Sequence, residues 1–111
     1  MTTIFSRIIK GELPSEKVYE DDKLLVIKDI NPIAPVHLLL IPKKEFKDLQ
    51  SVDEDDLPLI SHVVKVAQIL AEKYEISDGY RLITNNGSSA GQIIFHLHFH
   101  LIGGRRLGPL A

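Results

Sequence analysis

Apolar residues recur along this chain with two different periods. A spacing of three to four residues, typical of an amphipathic helix, runs over residues 4–10 and over the longer segment 57–74. Pro58 fits the second helix only within its first turn, so we expect the N-cap at Asp55 or Asp56. Runs and alternations of apolar residues predict strands elsewhere, over residues 17–20, 24–30, 36–41, 80–84 and 93–102.

Turn residues indicate how these strands are connected. Asp21-Asp22, between the first two strands, predicts a hairpin, and the prolines within residues 31–35 mark a second turn. The strand 36–41 is apolar at almost every position, which is typical of a central strand covered on both faces. Strands joined in hairpins, with helices apart from them, indicate an α+β fold with a mainly antiparallel sheet.

Composition and charge narrow the class of protein. A chain of 111 residues predicts one domain, over residues 1–111, and a net charge of −2 gives no reason to expect nucleic acid or an anionic membrane as a partner. The chain contains no cysteine, which excludes disulfides, thiolate zinc sites and cysteine nucleophiles. No stretch approaches the roughly 20 apolar residues of a membrane span, and residues 1–10 lack a signal-peptide pattern, so we expect a cytoplasmic protein.

The densest chemical signal is the alternation His96-Leu97-His98-Phe99-His100, which holds three of the chain's five histidines. Side chains two residues apart share one face of a strand, so the pattern predicts three imidazoles on one face. The opposite face is predicted to pack into a core through Phe95, Leu97, Phe99 and Leu101. Three imidazoles on one strand contribute little to stability, which indicates a reaction site.

Three interpretations suit such a cluster. Imidazole ligates zinc, but metal-bound histidines usually donate their second N–H to a carboxylate, a carbonyl or water, and residues 79–111 contain no acidic residue. The same stretch contains three arginines and the polar loop 85–92, whose N–H groups, amides and hydroxyls suit phosphate oxygens. The third interpretation is a solvated strand face that happens to be rich in histidine. We favour phosphoryl chemistry and keep metal binding as the alternative.

The repeat at residues 96–102 resembles the signature of the histidine triad (HIT) superfamily. Nearly the whole chain is similar to the Hint branch, and its end to bacterial Hint members, through residues 4–9, 19–22, 28–37, 79–81, 85–92 and 101–110. Hint proteins are purine nucleoside phosphoramidases. The resemblance therefore implies hydrolysis of the P–N bond of adenosine 5′-phosphoramidates, with aminoacyl-adenylates as further candidates, release of AMP, and no metal or other cofactor. It also implies a HIT-like fold with five strands, one short and one long helix, and a homodimer with a ten-stranded sheet.

The resemblance implies a role for each histidine of the site. His98 is the expected nucleophile, forming a nucleotidyl-imidazole that water then hydrolyses, with its other nitrogen on a backbone carbonyl near His96. His96 and His100 are expected to flank the α-phosphate and to donate to its oxygens. His37 is expected to form a hydrogen bond near the triad, and His62, on the long helix, has no family role and is expected at the surface.

Further residues are expected to bind the nucleotide. Asp29 matches the family's ribose ligand, whose carboxylate accepts from two vicinal hydroxyls. Asn85 and the N–H groups near Gly91 are expected to hold phosphate oxygens. The adenine slot implied by the resemblance is lined by Phe5, Ile8, Leu13, Ile27 and Ile30.

One position departs from the family pattern. In several Hint members a serine follows the Gly-Gln pair, and its hydroxyl can donate to the leaving amine. Here Gly91-Gln92 is followed by Ile93, which has no donor. His100, Gln92 or the substrate amine itself is then expected to supply the proton.

Two rival functions stay open. A Fhit-like hydrolase of dinucleoside polyphosphates belongs to the same superfamily, but the short chain and its Hint-like ends favour the Hint branch. A nucleotide-binding or partner-binding regulator, with incidental catalysis, belongs to a different class. His98→Ala distinguishes a regulator from an enzyme, because a regulator keeps its biological effect without the nucleophile and an enzyme loses it.

Overall fold

The computed structural model describes residues 2–110, in which a five-stranded sheet carries a helix on each face. The strands lie in the order β1-β2-β3-β5-β4, and every neighbouring pair is antiparallel. The elements are α1 (Ile4–Ile9), β1 (Lys17–Glu20), β2 (Leu24–Lys28), β3 (Val36–Pro42), α2 (Leu57–Lys73), β4 (Tyr80–Ile83) and β5 (Phe99–Gly103). The predicted α+β class, its five strands and its short and long helices are confirmed.

The central position of β3 is confirmed, and it explains the almost unbroken apolar sequence of this strand. Leu38 and Leu40 pack into the larger core, which lies under α2. Leu39 and Ile41 point to the opposite face and pack into a second core under α1. Because β3 is covered on both faces, nearly every position along it is buried.

Helix α1 is short, and its ends are set by local chemistry. The Thr3 side chain accepts from the Ser6 N–H while the Ser6 hydroxyl accepts from the Thr3 N–H, which forms a capping box. The helix ends at Ile9, one residue earlier than predicted, and Gly11 follows with a φ of +80° that favours glycine. Phe5 and Ile8, on the buried side of α1, cover the sheet.

Helix α2 begins as predicted, with Asp56 at the N-cap and Pro58 in the first turn. His62, expected at the surface, is partly exposed, but it also makes a specific contact. Its Nε2 lies 2.6 Å from Oδ2 of Asp21, and this pair joins α2 to the turn between β1 and β2. Within residues 2–110, no helix is both long enough and apolar enough to cross a membrane.

The histidine strand is shorter than predicted. β5 begins at Phe99, whereas the alternation had predicted a strand over residues 93–102. The register of β5 on β3 would place Pro42 opposite Leu97, and proline has no N–H to continue the ladder. The Leu97 N–H instead donates to the carbonyl of Phe46.

Alternation of side chains nevertheless continues across residues 96–100. Leu97, Phe99 and Leu101 are buried in the core under α2, as predicted. Phe95 is not part of this core, because 39% of its surface is exposed. Phe95 lies four residues before Phe99, the first residue of β5, so strand pairing does not hold its side chain against α2.

Candidate active site

Residues of α1, β2 and the loop before β5 enclose a cavity of about 320 Å³, here named the His98 cavity. This volume lies at the lower end of the range for small-molecule sites. The predicted site residues that line it are Phe5, Ile8, Ile27, Asp29, Ile30, Asn85, Gly91, Ile93, His98 and His100. Four further predicted residues, Leu13, His37, Gln92 and His96, are not among its lining residues.

The His98 imidazole is held in one tautomer. Its Nδ1 lies 2.7 Å from the backbone carbonyl oxygen of His96, which can only accept, so Nδ1 carries the proton. Nε2 is therefore the nitrogen with a free electron pair on the side chain that lines the cavity. The Phe5 ring meets the imidazole edge-on, with 4.8 Å between ring centroids. This arrangement leaves the His98 imidazole in one orientation, with Nε2 as its nucleophilic atom.

His100 forms a hydrogen-bonded pair with His37, which lies opposite Ile102 in the neighbouring strand β3. The distance between His37 Nε2 and His100 Nδ1 is 2.9 Å. The N–H of Ile33 donates to His37 Nδ1 over 3.2 Å, so that nitrogen has no proton. His37 Nε2 therefore donates to His100 Nδ1, and the proton of neutral His100 is left on Nε2. His100 presents a donor to the cavity that it lines.

Burial keeps these imidazoles neutral. It lowers the pKa of His98, although the bond to the His96 carbonyl opposes that change. Burial, together with the neighbouring His98 and His37, lowers the pKa of His100 to about 4. Burial also lowers the pKa of His37, against the opposing effect of Asp29. At neutral pH the site therefore holds a nucleophile, a donor and the group that orients the donor, all uncharged.

Asp29 lies at the wall of the cavity, directly after β2. Its Oδ1 accepts from the Asn31 N–H at 2.8 Å, and its Oδ2 lies 3.3 Å from His37 Nε2. The side chain is 18% exposed. A carboxylate fixed through one oxygen and partly open at the cavity is suited to accept hydrogen bonds from a bound ligand.

His96, which the resemblance implies to flank the α-phosphate, is not among the residues that line the cavity. It is 1% exposed, and its Nε2 lies 2.7 Å from the carbonyl oxygen of Pro42. The physical reason is the end of β3 at Pro42, whose free carbonyl takes the imidazole N–H. His96 acts on the site through its backbone carbonyl, which orients His98.

Gln92, also predicted to bind the substrate, is likewise not a lining residue of the cavity. Its side-chain amide donates to the carbonyls of Lys47 and Ile94, and its Oε1 accepts from the Gly87 N–H. The amide is thus used to hold the loop closed, and Gln92 is 3% exposed. The Gly91 N–H donates to Ser88 within the same loop, so the backbone donors of this turn are partly consumed.

The residues that line the predicted adenine slot differ in detail from the prediction. Leu13 packs against the core under α1 and is not a lining residue. Sequence reasoning missed Leu39, Ile4 and Ile94, which do line the cavity. Leu39 could have been found, because it shares a strand face with His37 and lies opposite His100 in the register of β3 and β5. Ile4 and Ile94 carry no such signal.

Asp29, His37 and His100 bring one potential ligand atom each within 4.8 Å of one another. A metal ion there would need the electron pair of His37 Nε2. That nitrogen carries the proton, because the Ile33 N–H points at Nδ1, and the other tautomer would set two N–H groups against each other. These three side chains are therefore better suited to the hydrogen bond from His37 to His100 than to a metal ion.

Comparisons with known proteins agree with this fold. A model of the HIT domain family matches residues 10–107. An uncharacterized HIT-like protein of Chlamydia muridarum is 51% identical over 111 residues, which are 100% of this chain and 88% of that protein. A HIT family hydrolase from Legionella pneumophila has a crystal structure with a TM-score of 0.93 at 41% identity, over 96% of each chain.

A second solved structure links the fold to nucleotides. The histidine triad nucleotide-binding protein from Candida albicans has a TM-score of 0.82 at 32% identity, over 99% of this chain and 86% of that one. The family model covers the sheet, α2 and the histidine cluster, and the relative and the two solved structures match 96% or more of this chain. The chain therefore belongs to the histidine triad (HIT) family, as a member of bacterial type whose solved relatives include a hydrolase and a nucleotide-binding protein.

Proposed function

We propose that this protein hydrolyses the P–N bond of purine nucleoside 5′-phosphoramidates and releases AMP and an amine. The observation that carries the proposal is the state of His98. Its Nδ1 proton is held by the His96 carbonyl at 2.7 Å, so Nε2 is left as a neutral nucleophile on a residue that lines the cavity. Imidazole in this state attacks phosphorus well and also leaves well once phosphorylated.

The reaction proceeds in two displacements. His98 Nε2 bonds to phosphorus while the P–N bond of the substrate breaks and the amine departs with a proton. The nucleotidyl-His98 intermediate is then attacked by water, the bond from phosphorus to Nε2 breaks, and AMP and a proton are released. Two displacements with a good intermediate leaving group replace one difficult hydrolysis.

Neutral hydrogen-bond donors stabilise the negative charge that develops on the phosphoryl oxygens. His100 Nε2–H and the Asn85 amide both belong to the cavity wall. Preorganised donors of this kind stabilise a transition state because they need no reorganisation during the reaction. Gln92 is excluded as proton donor to the amine by its three hydrogen bonds within the loop, and Ile93 has no donor, so His100 or the amine itself supplies that proton.

The nucleoside is assigned to the apolar side of the cavity. Phe5, Ile8 and Ile27 form an apolar wall that suits a planar base, and Asp29 offers a carboxylate to the hydroxyls of a ribose. The similarity to a histidine triad nucleotide-binding protein supports this orientation. We also infer a homodimer, as the resemblance implies, with β4 as the strand that pairs.

The deciding experiment is hydrolysis of adenosine 5′-phosphoramidate by the purified protein, with and without EDTA. We expect release of AMP that is insensitive to EDTA and that falls at least about 10³-fold in His98→Ala. His62→Ala, a histidine substitution far from the cavity, serves as the matched control and should keep the activity. Tight AMP binding without turnover would contradict the proposal and favour a nucleotide-binding regulator, and loss of activity with EDTA would restore the metal interpretation.

A further inference from the structure

Two isoleucines that line the His98 cavity are almost fully exposed at its mouth. Ile30 is 90% exposed and Ile93 is 86% exposed, and within residues 2–110 no other large apolar side chain is as accessible. Both belong to the lining of this one cavity. A single exposed apolar residue is ordinary on a protein surface, but two at the mouth of one cavity indicate a ligand that covers apolar surface there.

The position of Ile93 is fixed by its two neighbours in the chain. The Gln92 side chain is 3% exposed and makes three hydrogen bonds to backbone groups. On the other side, Ile94 packs against the core under α1. Ile93 therefore lies between two anchored residues, and its exposed side chain is held at the cavity mouth.

The two isoleucines lie beside different parts of the proposed substrate. Ile30 directly follows Asp29, which is assigned to the ribose. Ile93 lies in the same loop as Asn85, which is assigned to the phosphoryl oxygens. In-line displacement places the leaving nitrogen on the side of phosphorus opposite the attacking Nε2 of His98. Because His98 is only 8% exposed, the amine is directed toward the mouth of the cavity.

We propose that Ile93 is a specificity-determining residue that contacts an apolar substituent on the leaving amine. The inference rests on the proposed function, because it assigns the loop side of the mouth to the amine of a phosphoramidate. The loop offers no carboxylate to a cationic substituent, since residues 79–111 contain no acidic residue. The substrate class is therefore nucleoside 5′-phosphoramidates of amines with apolar substituents.

This contact acts on binding and not on the chemical step. Burial of one methylene changes an equilibrium constant by roughly fourfold, so an alkyl chain that covers part of Ile93 contributes several-fold in affinity. The substituent touches Ile93 in the ground state and in the transition state alike. Such uniform binding lowers KM without raising kcat, so kcat/KM rises as KM falls.

The test compares adenosine 5′-(N-methyl)phosphoramidate with adenosine 5′-(N-hexyl)phosphoramidate, whose amines are similar in basicity but differ in apolar length. In the wild type, we expect kcat/KM to be at least about fivefold higher for the hexyl compound, with kcat equal within about twofold. Ile93→Ser should reduce the difference in kcat/KM to less than about twofold.

Ile30→Ser is the matched control, because it removes a similarly exposed isoleucine from the nucleoside side of the mouth. It should raise KM for both compounds equally and keep the preference for the hexyl compound. Both replaced side chains are exposed, so the variants should fold like the wild type, which thermal unfolding checks.

Equal kcat/KM for the two compounds in the wild type would overturn the proposal. A preference that Ile93→Ser leaves unchanged would do the same. Loss of the preference in both variants would show that the mouth binds alkyl chains without a specific role for Ile93.

A second measurement does not depend on turnover, so failure of the proposed function is distinguished from failure of this inference. The methyl and hexyl esters of AMP resemble the two substrates, but an alkoxide is too poor a leaving group to be displaced readily. In calorimetric titrations, the hexyl ester should bind the wild type at least about fivefold more tightly than the methyl ester, and Ile93→Ser should abolish that difference. This gain without hydrolysis of phosphoramidates would support the contact at Ile93 and refute the proposed function. Equal affinities of the two esters would refute the contact even if phosphoramidates are hydrolysed.

Discussion

His98 is usable as a nucleophile because burial keeps its imidazole neutral where an exposed histidine would be partly protonated. Its pKa lies below the ordinary value of 6.5, despite a hydrogen bond from Nδ1 that favours the charged form. His100, whose pKa falls to about 4, stays neutral over the same range. Each residue is thus held in the protonation state that its proposed role requires, with no acidic group in residues 79–111.

This yields a prediction for the pH profile. Protonation of His98 removes the electron pair of Nε2, so kcat/KM falls on the acid side with the pKa of free His98. We expect the acid midpoint of kcat/KM to lie below pH 6.5, the ordinary value from which this pKa is lowered. Initial rates on adenosine 5′-phosphoramidate, corrected at each pH for spontaneous hydrolysis, provide the measurement. An acid midpoint at or above 6.5 would contradict the neutral-nucleophile assignment.

At the scale of elements, the turn between β1 and β2 is tied to α2 by a polar cluster around Asp21. Oδ2 lies 2.7 Å from the Tyr19 hydroxyl, which donates to it, and 2.6 Å from His62 Nε2, while Oδ1 accepts from the N–H groups of Lys23 and Leu24. Burial raises the pKa of Asp21, but these hydrogen bonds outweigh it and lower the pKa to about 2. The carboxylate therefore stabilises the fold through its charged form.

We expect Asp21→Asn to lower the free energy of unfolding by about 1 to 2 kcal/mol at pH 7. The carboxyl has a lower pKa in the folded state, so its contribution is complete above the unfolded value of 3.8 and is lost as the pH falls toward 2. The difference between variant and wild type should shrink over that interval. Urea unfolding provides the measurement, with the exposed neighbour Asp22→Asn as control. Equal stability of the two variants at pH 7 would show that the cluster around Asp21 does not stabilise the fold.

At the scale of the whole molecule, one edge of the sheet and one flank of α2 suit a second copy of the chain. β4 is an edge strand, and Tyr80 at its start is 37% exposed. Leu57 and Val64 lie seven residues apart, hence on one flank of α2, and are 50% and 43% exposed. The other flank carries His62, which contacts the turn beside β1, so the Leu57 flank lies toward the β4 side.

We expect the protein to have twice the 12.5 kDa mass of one chain in light scattering after size exclusion. Val64→Glu places a charge on the inferred interface and should shift the mass toward one chain. Ile69→Glu is the matched control, because Ile69 is similarly exposed at 46% but lies on the flank of His62. A wild-type mass of one chain, or equal dissociation by both variants, would exclude this interface.

Periodicity was sufficient to predict the elements whose neighbours are close in the chain. The hairpin at Asp21, the start of α2 at Asp56 and the central position of β3 all follow from local spacing and turn residues. The end of the histidine strand was not predictable in this way. It depends on Pro42, which lies more than fifty residues away and meets Leu97 only through strand pairing.

The candidate site, like the fold, was predictable from the sequence only in part. The sequence by itself determined the residue types, the absence of acidic residues from residues 79–111 and the resemblance that assigns His98 and Asp29. Only the tertiary structure decided that the His96 imidazole is buried against the Pro42 carbonyl, that the Gln92 amide is hydrogen-bonded inside its loop, and that His37 donates to His100. A sequence lists donors and acceptors, but their pairing depends on distances of about 3 Å between residues that are far apart in the chain.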